Sequence, residues 1–371
     1  MIILHMISGG ESGGSKKHLL SLANEMKERK SKNIILCFIE GELYKEAKAM
    51  GLKTYLVKQE KRFDLSIVSK IKSICKSEGV DIINSHGGRA NFICYFLKKF
   101  LKVKYVTTIH SDYESDYKGN TYKTLIYTNI NKIALKSFNN YIAVSENFKK
   151  LLIKRGFREN RIFTVYNGID TKETISTLDY NEIIDKYSLK IFKRYIVMVA
   201  RLHPIKGHRD FLNACELIYE QIKDTGIILV GDGSLKEELV NLIQSYKIKN
   251  NIMFVGFKEP GDFFRLAEFT VLTSYSESFP LVILESGLYG KCVVASNVGG
   301  IPEIIKSMEN GLLTIPGSIN DIAEKLTLLL ENSSFSKEFG DRLREDVLNK
   351  FSIKALADSY EEIWNNILMG E

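Results

Sequence analysis

What this 371-residue chain lacks narrows the field before any motif is read. No uncharged apolar run reaches the roughly 18–20 residues that a membrane-spanning helix requires. The apolar start, Met1–Ile7, has no basic stretch before it and no small-residue cleavage site after it, so it reads as a first strand and not as a signal peptide. Cysteine is sparse: Cys37, Cys75, Cys94, Cys215 and Cys292 are odd in number, scattered, and contain no Cys-x-x-Cys. That pattern suits reduced core thiols of a cytoplasmic protein better than a disulfide framework or a zinc site. No Asp-x-Asp occurs; Asp112-Tyr113-Glu114 and Glu114-Ser115-Asp116 are its nearest approaches. The glycine-rich loop after the first apolar run matches neither Gly-x-Gly-x-x-Gly nor Gly-Lys-Ser/Thr, so a dinucleotide fingerprint and a P-loop are both poorly supported.

What is present describes a globular protein, with 44% hydrophobic and 26% charged residues. The length suits two domains of roughly 150–200 residues. The net charge of +7 conceals a division. Residues 1–170 contain 30 Lys and Arg against 16 Asp and Glu, an excess of +14, and the remainder of the chain carries −7. Halves so different in charge are expected to meet different partners. Short runs of Ile, Val, Leu, Phe and Tyr alternate with amphipathic stretches throughout. This is the pattern of βαβ units, parallel sheets and helices on both faces. The alternation pauses at a polar stretch, Asp170–Arg194, which includes Asn181–Lys190. The sequence therefore predicts two doubly wound α/β domains facing a central cleft, residues 1–170 and 185–352. The apolar helical repeat at 353–371 is expected to pack back on the first. Ligands of such sheets sit beyond the carboxyl ends of the strands, so the loops directly after strands are the candidate sites.

Ser8–Ser15 is the first such loop, with four glycines ahead of a helix whose N-terminus faces an anion favourably. His110 ends the strand at 103–109 and is either a structural histidine or a site residue. Arg201 and Lys206 follow another strand, and two cations at a loop mouth can clamp a diphosphate. Glu277-Ser278-Phe279-Pro280-Leu281-Val282 leads into a helix that carries Glu285 on an otherwise apolar face. A carboxylate there calls for hydrogen-bond donors, which sugar hydroxyls supply. Val298–Glu303 repeats the design of strand, glycine turn and helix start.

Arg201 with Lys206, the Glu277/Glu285 pair and Gly-Gly-Ile-Pro-Glu at 299–303 resemble family 4 glycosyltransferases, retaining enzymes of the GT-B fold. Tyr166–Asp170 and Val230–Gly233 are similar to the same family, and the resemblance runs from the Gly13-Gly14 loop to about residue 315. It implies a nucleotide-sugar donor held mainly by the C-terminal domain. By that resemblance Arg201 and Lys206 neutralise the leaving diphosphate, and Glu277 and the amides near Phe279–Val282 hold the sugar. It further implies that Glu285 binds ribose, Gly231, Gly256 and Phe257 border the nucleotide, Gly14 approaches the diphosphate, and His110 lies beside the donor sugar. Catalytic roles are expected for Arg201, Lys206, Glu277 and His110. No metal or other cofactor is expected. The donor is expected to be a UDP-sugar, and the acceptor a glycan, lipid-linked or polyanionic species of the cell envelope.

Three basic groups carry the N-terminal excess: Lys98, Lys99, Lys102 and Lys104; Lys58, Lys61, Arg62, Lys70, Lys72 and Lys76; and Lys149, Lys150, Lys154, Arg155, Arg158 and Arg161. Lysines interleaved with Phe and Leu suit a helix on the anionic inner face of a membrane, and equally a solvated surface. No nucleic-acid motif accompanies the charge. A sugar-nucleotide epimerase, a non-catalytic sugar-nucleotide-binding protein and an NAD-dependent dehydrogenase are the competing readings. The missing dinucleotide fingerprint weakens the last of these.

Overall fold

The computed structural model describes residues 1–11, 13–61, 64–112, 114, 128–171 and 175–370. The chain divides into two units, Met1–Asp170 with Ile353–Glu371, and Thr171–Ser352. Arg62, Tyr113, Ser115 and Asp116, all singled out in the sequence, lie outside the described residues, as do residues 172–174 of the polar stretch Asp170–Arg194.

The first unit is built on seven parallel strands: β1 (Ile2–Ile7), β2 (Lys32–Cys37), β3 (Thr54–Leu56), β4 (Ile82–His86), β5 (Lys104–Ile109), β6 (Asn140–Ala143) and β7 (Ile162–Thr164). Their order is β3-β2-β1-β4-β5-β6-β7, so the direction of winding reverses between β1 and β4. The central strands β1, β4 and β5 are buried on both faces for almost their whole length, as a sheet covered by helices on both sides requires, and they carry polar residues among the apolar ones. Register decides what each face carries. His5 of β1 pairs with Asn84 of β4, and His86 pairs with Thr108 of β5. With a side-chain period of two, His5, Asn84, His86, Thr108 and His110 lie on one face, together with Asn33 of β2.

That face is covered by the helix Ile353–Met369. Its buried Leu356, Ala357, Tyr360, Ile363, Trp364 and Ile367 pack with Ile3, Ile82, Val106 and Ile142 of the sheet. Arg29 bonds Asp358 at 2.6 Å and Glu361 at 3.0 Å, and the Ile353 amide donates to the Ile169 carbonyl at 2.7 Å. The opposite face holds the larger cluster, from Leu4 and Met6 through Ile83 to Leu97 and Phe148.

In the second unit, β8 (Arg194–Val199), β9 (Thr225–Val230), β10 (Ile252–Gly256), β11 (Ala267–Leu272), β12 (Val293–Ser296) and β13 (Leu312–Thr314) form a parallel sheet ordered β10-β9-β8-β11-β12-β13. Here the winding reverses between β8 and β11. The polar stretch Asn181–Lys190 is not a linker, because Tyr180–Tyr187 is a helix. Asp179 and Glu182 close a reciprocal capping box, with bonds of 2.9 and 2.6 Å. The helix buries Ile184 with Val197, Ile228 and Phe263, so the second unit begins at Thr171 rather than near residue 185. All five cysteines are buried and free.

Candidate active site

Ligands of an open parallel sheet bind at the point where the winding reverses. In the second unit that point lies between the loops leaving β8 and β11, which carry Arg201, Lys206 and Glu277. The two loops are joined through backbone. The Tyr275 amide donates to the Ile205 carbonyl at 2.8 Å, and the Thr273 hydroxyl donates to the Gly207 carbonyl at 3.0 Å. Gly207 has φ +67°, and a Cβ there would lie 2.1 Å from the Thr273 carbonyl oxygen. Gly299 is tighter still: at φ +54° its Cβ would lie 1.6 Å from the Glu277 carbonyl oxygen. Only glycine accepts that conformation and that approach. The loop after β12 therefore presses directly on the backbone of the Glu277 segment.

The result is a short charged array. Lys206 Nζ lies 2.5 Å from Glu277 Oε1, and the Ser274 hydroxyl donates to the same oxygen at 2.6 Å. Among the described residues both bonds go to Oε1, so Oε2 remains available to a ligand. Arg201 is exposed, and no acid among the described residues pairs with it. Its loop is held from below, where the Leu202 amide donates to the Asp232 carbonyl at 3.0 Å and the Gly231 amide donates to the Gly256 carbonyl at 2.8 Å. Phe257, beside Gly256, is 80% exposed.

Pro280 is the residue immediately before the helix Leu281–Leu288, at its N-cap. Ser278 and Val282 are half-buried, whereas the Phe279 ring packs 5.5 Å from that of Phe351. Phe279 therefore contributes only backbone to any ligand. Glu285 sits half-buried within the helix, whose other inward residues are apolar or small. The helix after Gly299-Gly300 is a single turn, Ile301–Ile304.

The reversal point of the first unit is also a pocket, of about 170 Å³, bordered by Glu11, Ser15, His86, Asn91, His110 and Asn131 among others. Gly14 opens the helix Gly14–Glu25 and is exposed. Glu11 accepts from the Ser8 and Gly9 amides at 3.1 and 2.7 Å, and burial raises its pKa despite these bonds. His110 stands on a stack of imidazoles that sequence reasoning did not anticipate. His110 Nε2 is 2.9 Å from His86 Nδ1, and His86 Nε2 is 3.0 Å from His5 Nδ1. His18 lies edge-on to His110 with centroids 4.9 Å apart, and its ring nitrogens meet Asn167 and the Tyr360 hydroxyl at 2.9 and 3.0 Å. Burial lowers His5 and His110 to about 4 and holds His18 and His86 well below the ordinary histidine value. The four imidazoles are therefore neutral at pH 7.

The basic groups are less uniform than their sequence suggests. Lys98 turns inward, 4.2 Å from the Phe138 ring centroid, and burial lowers its pKa to about 8. Arg155 pairs with Asp112 at 2.6 Å and Glu114 at 3.2 Å, and Lys58 pairs with Glu40. Lys99 remains outside beside Phe100, which is 58% exposed. No helix among the described residues is long and apolar enough to cross a membrane.

Comparison with known proteins matches both units. Residues 12–173 fit the family described as Glycosyltransferase Family 4, and residues 179–346 fit Glycosyl transferases group 1. N-acetyl-alpha-D-glucosaminyl L-malate synthase of Bacillus anthracis is 26% identical over 85% of this chain and 82% of its own. N,N'-diacetylbacillosaminyl-diphospho-undecaprenol alpha-1,3-N-acetylgalactosaminyltransferase of Campylobacter jejuni is 23% identical over 96% of this chain and 97% of its own. The solved structure of Anabaena HepE in complex with UDP-glucose is similar in fold, with a TM-score of 0.83 at 21% identity, over 99% of this chain and 100% of that one. The chain is a glycosyltransferase of the GT-B fold and belongs to the group 1, family 4 type.

Proposed function

We propose that this chain is a retaining, metal-independent glycosyltransferase. It moves a sugar from a nucleotide-diphosphate sugar, a UDP-sugar, onto a glycan, lipid-linked or polyanionic acceptor of cell-envelope or surface polysaccharide synthesis. The observation that carries this reading is the Lys206–Glu277–Ser274 array beside Arg201, at the reversal point of the second sheet. Charge develops on the leaving diphosphate as the glycosidic bond breaks, and fixed cations in place beforehand stabilise it most in the transition state. Arg201 and Lys206 fill that role. Glu277, with one oxygen engaged by Lys206, offers the other to the hydroxyls of the transferred sugar. Backbone amides of Ser278–Val282 assist, Glu285 holds the ribose, and Gly231, Gly256 and Phe257 border the base. In the first unit, Gly14 and His110 are the residues assigned to meet substrate.

Glu277 and Glu285 do not act as a glycosidase acid and base, because both are committed to hydroxyl contacts. The departing diphosphate takes the acceptor's proton on the face it leaves, which retains the anomeric configuration. UDP is supported by the likeness to HepE, solved with UDP-glucose, and a lipid-linked acceptor by the Campylobacter relative. The buried free thiols favour the reducing cytoplasm. Lys72 and Lys99 beside exposed Phe100, with Lys102 and Lys104 following in the sequence, favour peripheral contact with its anionic membrane.

The test is donor turnover against a panel of UDP-, GDP- and ADP-sugars, with and without a chelator. We expect hydrolysis of a UDP-sugar, unaffected by the chelator, with release of the α-anomer from an α-linked donor. Turnover only of another nucleotide, abolition by the chelator, or an inverted product would overturn the corresponding part of the reading.

A further inference from the structure

The histidine stack has a direction. Asn33 Oδ1, an acceptor, lies 2.7 Å from His5 Nε2, and its orientation is held by the amide group donating to the Ser31 carbonyl. His5 must therefore carry its proton on Nε2, which leaves Nδ1 to accept. The bond to His86 at 3.0 Å then places the His86 proton on Nε2, and the next, at 2.9 Å, places the His110 proton on Nε2. Each imidazole passes the same polarity to the next. We propose that Asn33, His5 and His86 are positioning residues that fix the tautomer of His110 and present its Nδ1 to the pocket as a lone-pair acceptor.

Three observations support this. The chain follows from strand register, since His5, His86, His110 and Asn33 share a sheet face. His5 and His86 are fully enclosed, at 0% and 2% exposure, and Trp364 closes over His5 with centroids 5.6 Å apart. Burial at this depth keeps the rings neutral, so the assignment is one of tautomers and not of charge. Among the described residues no group bonds His110 Nδ1, and the ring borders the pocket. An acceptor in that position selects a ligand atom that donates, which is a hydroxyl, and disfavours a phosphate or carboxylate oxygen. The choice of a sugar hydroxyl rests on the glycosyl-transfer reading; the tautomer itself does not.

The experiment is long-range proton–nitrogen NMR on the full chain labelled with nitrogen-15 histidine at pH 7. The chain has six histidines, and loss of a signal in His110→Gln assigns that residue. We expect His5, His86 and His110 each to show a protonated Nε2 and a bare Nδ1. In Asn33→Leu, which removes the anchoring acceptor two rings away, His110 is expected to become a mixture of tautomers. Asn33→Ala serves the same purpose if leucine perturbs the fold, as reported by Trp364 fluorescence. A proton on His110 Nδ1 in the wild-type chain overturns the proposal outright. An unchanged single tautomer in a folded Asn33 variant shows that the chain does not set it. Both outcomes are read without any transfer assay, so they separate from failure of the glycosyl-transfer reading.

Discussion

The two units solve the same topological problem with opposite chemistry. In each, the loops at the reversal point of a parallel sheet converge on a site. In the first unit the site stands on neutral imidazoles buried to 2% exposure or less at His5, His18 and His86. In the second it rests on exposed and half-exposed charges, Arg201, Lys206 and Glu277, held by loops that glycines allow to touch. The contrast runs against bulk composition. Residues 1–170, with their excess of +14, contain the pocket lined by neutral imidazoles, and the acidic remainder contains the loops that carry Arg201 and Lys206. Net charge thus describes the surface around a site and not its interior, where desolvation selects neutral or paired groups.

Arg201→Ala breaks the comparison most severely. Removing one preorganised cation should lower transfer by about 100- to 1,000-fold, with an unchanged circular dichroism melt because Arg201 is exposed. Near-normal turnover would remove the charged site from the mechanism.

Acid should separate the units next. Unfolded histidine titrates near 6.5, whereas buried His5 and His110 titrate near 4 in the folded chain. Between those values the unfolded state binds more protons, so stability fully present above pH 6.5 is lost as the pH falls through this window. For His5 alone the full window corresponds to ~3 kcal/mol. The second unit contains one comparable group, His208, also lowered to about 4, against four in the first. The single tryptophan, Trp364, lies against His5, so its fluorescence should report loss of the first unit before the whole-chain dichroism changes. Coincident transitions would contradict the assignment.

Smaller effects sharpen the second site. Glu277→Gln removes the charge-assisted bond to Lys206 and should cost ~1.5–3 kcal/mol, or about 10- to 150-fold in kcat/KM. Gly299→Ala must displace the Glu277 loop to relieve the 1.6 Å approach, and we expect ~1–3 kcal/mol of lost stability together with reduced turnover. An unchanged Tm in that variant would show that the loop yields freely. The smallest effect concerns the surface: Lys99→Ser should weaken binding to anionic vesicles by about fivefold, near 1 kcal/mol, and leave neutral vesicles unaffected.

The alternating pattern made both sheets and most strands legible in the sequence, because buried parallel strands are continuous apolar runs. Arg201, Lys206, Glu277 and His110 were legible as polar residues directly after such runs. His86 offered a weaker signal, because β4 runs three residues past the end of its apolar run at Ile83. His5 and His18 gave none, since they sit among apolar neighbours and only the tertiary register brings them together. The Asp179–Glu182 capping box was present in the sequence and was masked by the polarity of the residues around it. Lys98 looked solvated because linear spacing does not reveal that Phe138 and Tyr105 enclose it.

The central claim, a cationic nucleotide-diphosphate site in the second unit, is tested most directly by calorimetric titration of UDP into the wild-type chain and an Arg201→Ala, Lys206→Ala double variant. The account predicts binding to the wild type and a loss of at least about 100-fold in the variant, the equivalent of ~2.7 kcal/mol, with the circular dichroism spectrum of the folded chain retained. Equal affinity in the two proteins, or no binding to the wild type, would contradict it.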